Sequence, residues 1–194
     1  MVYSAGMTER PERIAPLAPV DWDDATRAEL GGVVGVGGNP RPVHLPAMIA
    51  RHPTYLAPYL GWAKTVALHG VLSSRHNELI TLRTSYLCRS EFEWGVHAEY
   101  ARQPGCLTED EVAAIVVGPD GGTWSPTERA LLLAADELHH DAEVSDATWA
   151  VLAAELDLPA LLEVVFVAGH YTMLSMVANS AGLPPEPTWQ PLPP

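Results

Sequence analysis

Apolar residues recur along this chain at every third or fourth position, and no stretch sustains the period-two alternation of a half-buried strand. Between Thr54 and Leu68 the apolar positions are Leu56, Tyr59, Leu60, Ala63, Val66 and Ala67, and Gly70 ends the pattern. Ser73 and Ser74 supply caps for a helix from about Arg75 to Leu87, with Leu79, Ile80, Leu82, Tyr86 and Leu87 as its apolar positions. A further helix is predicted over Glu91–Arg102 and is stopped by Pro104-Gly105. Thr108-x-x-Glu111 and Ser125-Pro126-x-Glu128 both fit the capping box, the second with proline at the favoured first helical position. Ser145 opens a helix through about Glu155, and Pro159 stands at the start of a long final helix closed by Gly182. Nearer the N-terminus, Trp22 to about Leu30 reads as a short helix with Asp21 as its N-cap.

The segments between carry turn chemistry. Met1 to Val20 contains prolines and lacks helical periodicity, so it is expected to be extended. Gly31 to Pro46 holds five glycines and three prolines and reads as a wrapping loop leading into a helical turn near Ile49. The predicted organisation is one all-α domain of about eight helices. Residues 1–50 form an N-terminal extension and wrapping loop, 51–183 the helical domain, and 184–194 a proline-rich tail. Pro119 to Leu152 reads as a helical pair added to that domain.

Composition narrows the function. Of the 194 residues, 47% are apolar and 18% charged, enough for a packed core and against global disorder. The net charge of −13, with eleven scattered Lys and Arg, provides no basic cluster for phosphate, so no nucleic-acid partner is expected. Met1 to Pro16 has no apolar h-region of a signal peptide. The apolar run from Leu158 to Gly182 is interrupted by Glu163, His170, Thr172, Ser175, Asn179 and Ser180 and lacks basic flanks. It therefore reads as a buried helix, and no membrane is expected as partner. Two cysteines, Cys88 and Cys106, make no disulfide framework and fit a reducing, cytoplasmic setting. The final helix is apolar on nearly all faces, more than one small domain buries, so self-association as a homo-oligomer through Leu161–Met176 is expected.

Candidate chemistry gathers between Asn77 and Tyr100. Glu93 and His97 are four apart, on one helix face and within side-chain reach. A carboxylate beside an imidazole orients the ring, fixes its tautomer and favours its protonated form, which suits general acid–base catalysis. Cys88, Phe92 and Trp94 surround the pair in sequence, and the preceding helix brings Glu78 and Arg83 into otherwise apolar surroundings, where charges are either partnered or functional. Elsewhere, Glu137-x-x-His140 has the spacing of a di-iron bundle ligand pair but no second copy, so no metal site is expected. The glycines of Gly31 to Gly38 lack the lysine and preceding strand of a phosphate loop.

Asn77-Glu78-Leu79, a histidine nineteen positions after the glutamate at His97, and the following Leu107-Thr108-x-x-Glu111 resemble the core of the carboxymuconolactone decarboxylase family, in the alkylhydroperoxidase-like superfamily. Leu162 to Gly182, with Gly169-His170-Tyr171, looks like that family's last helix, which returns towards the site. The resemblance implies an alkylhydroperoxidase-like helical bundle over 51–183. Glu78, Glu93, His97 and Cys88 are its candidate catalytic residues; Arg83, Trp94, His170 and Tyr171 are its candidate substrate-binding residues. Alkylhydroperoxidase-type members carry Cys-x-x-Cys where this chain has Ser90 and Glu93. A peroxidatic relay needs a thiolate and a resolving thiol. The Glu-x-x-x-His arrangement is instead similar to the decarboxylase branch, which uses no metal and no cofactor.

Three readings follow. The first is a cofactor-independent, decarboxylase- or lactone-type lyase acting on a small carbonyl or carboxylate substrate. In it His97 moves the proton, Glu93 orients and tunes it, and Arg83 or His170 holds the substrate carboxylate. The second is a thiol peroxidase using Cys88. The third is a non-catalytic oligomeric binding protein, for which Glu93 and His97 would face solvent with no pocket.

Overall fold

A computed structural model describes residues 11–31, 44–185 and 189–194, and these residues contain helices and no strand. A 3-10 turn at Pro19–Asp21 is followed by α1 (Asp24–Gly31), α2 (His44–Ile49), α3 (Pro53–Leu68), α4 (Ser74–Leu87) and α5 (Glu91–Ala101). Then come α6 (Glu109–Val117), α7 (Pro126–Asp141), α8 (Asp146–Ala153) and α9 (Leu158–Ala181). The described residues thus form nine α-helices, in line with the expectation of about eight and one more than the helices read individually. The additional one is α2, which begins inside the segment read as a loop because Pro46 is tolerated in a first helical turn. The N-terminal extension to residue 10 and most of the wrapping loop, 32–43, lie outside the described residues.

Local chemistry fixes the helix starts. Thr108 and Ser125 each accept the backbone N–H three residues on, while Glu111 and Glu128 return the bond to the cap N–H, completing both capping boxes. Ser73, Ser90, Ser145 and Asp157 cap α4, α5, α8 and α9 by the same side-chain acceptance. The cap of α1 is Asp23, whose carboxylate accepts the Thr26 N–H at 2.7 Å, not Asp21, which lies in the preceding 3-10 turn. At the far end, Gly182 closes α9 at φ +69°, a left-handed conformation that favours glycine. A Cβ there would also sit 2.0 Å from the Pro11 carbonyl oxygen. The N-terminal segment crosses at that point, with Arg13 and Ile14 N–H both donating to the Ala181 carbonyl.

Helix α4 is the axis of the packing, bordered by α5, α6, α7 and α9. The largest core joins Ile80, Phe92, Leu131, Val164, Val167 and Leu174. A second, around Leu79, Leu82, Trp94, Ile115 and Leu132, lies on the other side of α4. A third, smaller cluster of Leu30, Ala47, Ala50 and Leu56 holds α1, α2 and α3 together. The expectation of an added pair over Pro119–Leu152 is corrected for α7. Ala130, Leu131, Leu132, Ala134 and Ala135 of that helix are buried in the two main cores. Its amphipathic face is a wall of the domain. Helix α9 is long and apolar enough to cross a membrane by length and composition, and half of its most apolar window is buried within the molecule. Its outer face exposes a stripe of Leu158, Leu162, Val165, Phe166, Met173 and Met176.

Candidate active site

Three helices deliver the site. Glu78 is in the second turn of α4; Glu93 and His97 share one face of α5; His170 and Tyr171 lie midway along α9. All five line a cleft of about 1390 Å³, closed on one side by α3. Glu93 is 2% exposed, His170 5%, His97 6% and Glu78 9%, so these polar groups are inside the protein and yet border open space.

His97 stands between two carboxyl groups. Its Nδ1 donates to Glu78 Oε2 at 2.9 Å, and its Nε2 is 4.0 Å from Glu93 Oε2. The sequence expectation assigned orientation of the ring to Glu93. The geometry gives that role to Glu78, because 2.9 Å is a hydrogen bond and 4.0 Å is not. With the proton fixed on Nδ1, Nε2 presents a lone pair towards Glu93 and the cleft. Tyr171 packs edge-on against the ring, centroids 4.5 Å apart. Glu93 itself is the unusual group. Its Oε1 is buried without a hydrogen-bond partner, and burial pushes its pKa from 4.5 up to about 7, against a smaller downward pull from His97. A neutral carboxyl is thereby populated near neutral pH.

His170 is held from behind. The indole Nε1 of Trp62 on α3 donates to its Nδ1 at 3.1 Å. Desolvation, with a smaller effect from His97, lowers the His170 pKa to about 4, so it is neutral under ordinary conditions.

The other sequence candidates lie elsewhere. Arg83 is outside the cleft and unavailable to a substrate carboxylate, which corrects that expectation. Its guanidinium makes a two-point ion pair with Asp136 at 2.5 and 3.1 Å and donates to the Ile115 and Val116 carbonyls. It lies so close over Gly118, φ +94°, that a Cβ there would be 2.7 Å from its central carbon. Trp94 is wholly buried in the second core, edge-on to Tyr86, and does not reach the cleft. Cys88 caps the C-terminus of α4 away from the cleft, its Sγ 3.7 Å from His139 Nδ1. Burial, the largest influence on its thiol, raises its pKa. The cysteine that does line the cleft is Cys106, whose thiol is pushed up to about 11 by burial and by the neighbouring Glu78 charge. Trp62, Lys64 and Cys106 were not singled out from sequence. Composition flags Cys106 as one of two cysteines and Lys64 as the one lysine, but nothing in it marks Trp62. Among the described residues no group of three or more His, Cys, Asp or Glu side chains is arranged to hold a metal ion.

Comparison with known proteins fits this architecture. Residues 53–137, from α3 through most of α7, match the Carboxymuconolactone decarboxylase family. No curated protein matches the chain significantly. Among solved structures, a peroxidase-related protein from Silicibacter is similar over 95% of this chain and 97% of its own, with a TM-score of 0.77 and 19% identity. An alkylhydroperoxidase AhpD core protein from Ralstonia eutropha covers 91% and 94%, with a TM-score of 0.72 and 17% identity. The debrominase Bmp8 covers 90% and 92%, with a TM-score of 0.70 and 14% identity. At such identities the likeness is one of fold. The names attached to the family and to these neighbours are those of enzymes with different chemistries. The helical core around Glu78, Glu93 and His97 thus matches the model of the carboxymuconolactone decarboxylase family, and the chain has the AhpD-like all-helical fold.

Proposed function

We propose that this chain is a cofactor-independent enzyme that moves a proton at the carbon beside a carbonyl group of a small carbonyl or carboxylate substrate, as a lactone-type decarboxylation requires. The observation that carries the reading is the buried row Glu78–His97–Glu93, which ends in an unpartnered carboxyl oxygen on the cleft wall. Glu78 holds the His97 tautomer, and Nε2 and Glu93 face the same space from 4.0 Å apart, room for a reacting atom or a bridging water. In a decarboxylation the electrons of the broken C–C bond pass into the carbonyl as an enolate while carbon dioxide leaves. The enolate carbon then takes the proton of the neutral Glu93 carboxyl, directly or after its transfer to His97 Nε2. A carboxyl that titrates near 7 is suited to both halves of such an exchange. Burial of Glu93 and His97 beside a cleft supports an enzyme over a binding protein with a solvent-facing pair. The raised pKa values of both thiols support acid–base over thiolate chemistry. The exposed apolar stripe on α9 supports a homo-oligomer, and free thiols fit a cytoplasmic setting.

The test is deuterium incorporation and carbon dioxide release from a panel of γ-lactone carboxylates and β-keto acids in heavy water. The expected result is turnover by wild type and Cys88→Ser but not by His97→Ala. The reading falls if His97→Ala matches wild type, or if thiol-dependent peroxide consumption is found and vanishes in Cys88→Ser.

A further inference from the structure

The indole N–H of Trp62 only donates, so the His170 Nδ1 that it reaches at 3.1 Å must carry the lone pair. A neutral imidazole then bears its proton on Nε2. Trp62 does not line the cleft, whereas His170 does, so the indole claims the nitrogen turned away from the open space. The Trp62 bond is the one hydrogen bond made by the His170 ring among the described residues. A ring that is 5% exposed thus keeps one N–H without a protein acceptor at the wall of the cleft, beside Tyr171, which packs against both His170 and His97.

We propose that His170 is the oxyanion donor of this site: its Nε2–H hydrogen-bonds the substrate carbonyl oxygen and the enolate oxygen that forms there, and Trp62 is the positioning residue that fixes the required tautomer. The inference deepens the reading of Glu93 and His97 as the proton-transfer pair. When the base removes a proton from the carbon, or carbon dioxide departs from it, the released electron pair enters the carbonyl and its oxygen becomes negative. The N–H receives that charge and transfers no proton itself. Neutrality is part of the design. A cationic imidazole facing His97 would be disfavoured by burial and by that neighbour, and the lowered pKa, about 4, keeps the donor uncharged. The substrate class follows: a carbonyl compound whose oxygen lies towards α9 while its acidic carbon lies towards α5. His170, uncharged, is therefore assigned the carbonyl oxygen and not a substrate carboxylate.

The experiment uses the full chain and a probe pair of equal shape, 4-nitrophenolate as enolate mimic and 4-nitrotoluene as its uncharged counterpart. Wild type is expected to prefer the phenolate. His170→Phe, which keeps a ring but no N–H, is expected to bind the phenolate about tenfold or more weakly while holding 4-nitrotoluene unchanged. In ¹⁵N spectra the wild-type ring is expected to show the proton on Nε2. Trp62→Phe is expected to give a mixture of tautomers, a change that loss of packing alone would not produce. An Nδ1-protonated or charged His170 overturns the proposal, as does equal loss of both probes in His170→Phe. Selective phenolate binding without deuterium exchange would remove the base at Glu93/His97 and leave this donor standing. Exchange without phenolate preference would do the reverse.

Discussion

Replacing Glu93 by glutamine tests the central electrostatic feature directly. The side chain keeps its shape and loses its charge, and Oε1 has no protein partner to disappoint. In the folded protein the carboxyl titrates near 7, against 4.5 when solvated. Because the folded value is raised, its relative stability is fully present below the unfolded value and is lost as pH rises through 7. At about 1.4 kcal/mol for each factor of ten in proton affinity, burying this carboxyl group costs roughly 3 kcal/mol at pH 8 and about 1 kcal/mol at pH 5, where the folded state keeps it neutral and the unfolded chain ionises it. His170 works in the opposite direction. Its folded value, about 4, is below the solvated 6.5, so it gives up stability as pH falls from 6.5 towards 4. The two slopes largely cancel in the wild-type profile, which is therefore a poor readout. The difference between wild type and Glu93→Gln removes the His170 contribution and isolates Glu93. In urea unfolding, the variant is expected to gain roughly 2 kcal/mol more at pH 8 than at pH 5, with thermal midpoints moving by about 2–4 °C per kcal/mol. The same variant should lose activity, a trade of function for stability. A stability difference that is flat between pH 5 and pH 8 would refute the buried, raised carboxyl.

Three further outcomes are expected. Arg83→Met should destabilise the fold by about 3–5 kcal/mol, because it leaves Asp136 and two carbonyls without their donor; calorimetry that shows no loss would restore Arg83 as a free group. Cys88→Ser should change turnover of the panel compounds less than twofold, since its sulfur lies outside the cleft; the check is the steady-state rate. Wild type at micromolar concentration should scatter light as an oligomer, and Phe166→Glu on the exposed stripe of α9 should reduce it to a smaller species; a wild-type monomer would remove the claim.

The helical skeleton was legible because its signals are local. Each cap uses a side chain and a backbone group three residues apart, so Ser73, Thr108, Ser125 and Ser145 mark starts without any knowledge of the tertiary fold. Asp21 was misplaced for Asp23 because both precede the same apolar pattern within two residues, and a 3-10 turn absorbs the first. The role of α7 was hidden for a different reason. Periodicity tells that a helix has an apolar face, not which core that face meets. The site divides along the same line. The spacing of Glu93 and His97 put both on one face, which the structure keeps, but spacing could not say that Glu78 takes Nδ1 from another helix. The contact between Trp62 and His170 spans 108 positions and has no sequence signature at all.

Arg83 and Glu93 show how one rule leads to opposite roles. Both are buried charges in apolar sequence, where a group must be either partnered or functional. Arg83 meets a carboxylate and two helix-end carbonyls, and its charge serves to join α4, α6 and α7. Glu93 meets one imidazole at 4.0 Å and otherwise nothing, so the protein carries its desolvation without full compensation. Stability alone would select against such a group, since glutamine fits the same space at lower cost above pH 7. Ser90 completes the contrast, because the residue three before Glu93 is occupied in capping α5 through the Glu93 N–H. At the two positions where the resemblance to alkylhydroperoxidases would place cysteines, this chain therefore has a helix cap and a desolvated carboxyl. On the proposed reading, the Glu78–His97 hydrogen bond serves the Glu93 carboxyl rather than a thiolate.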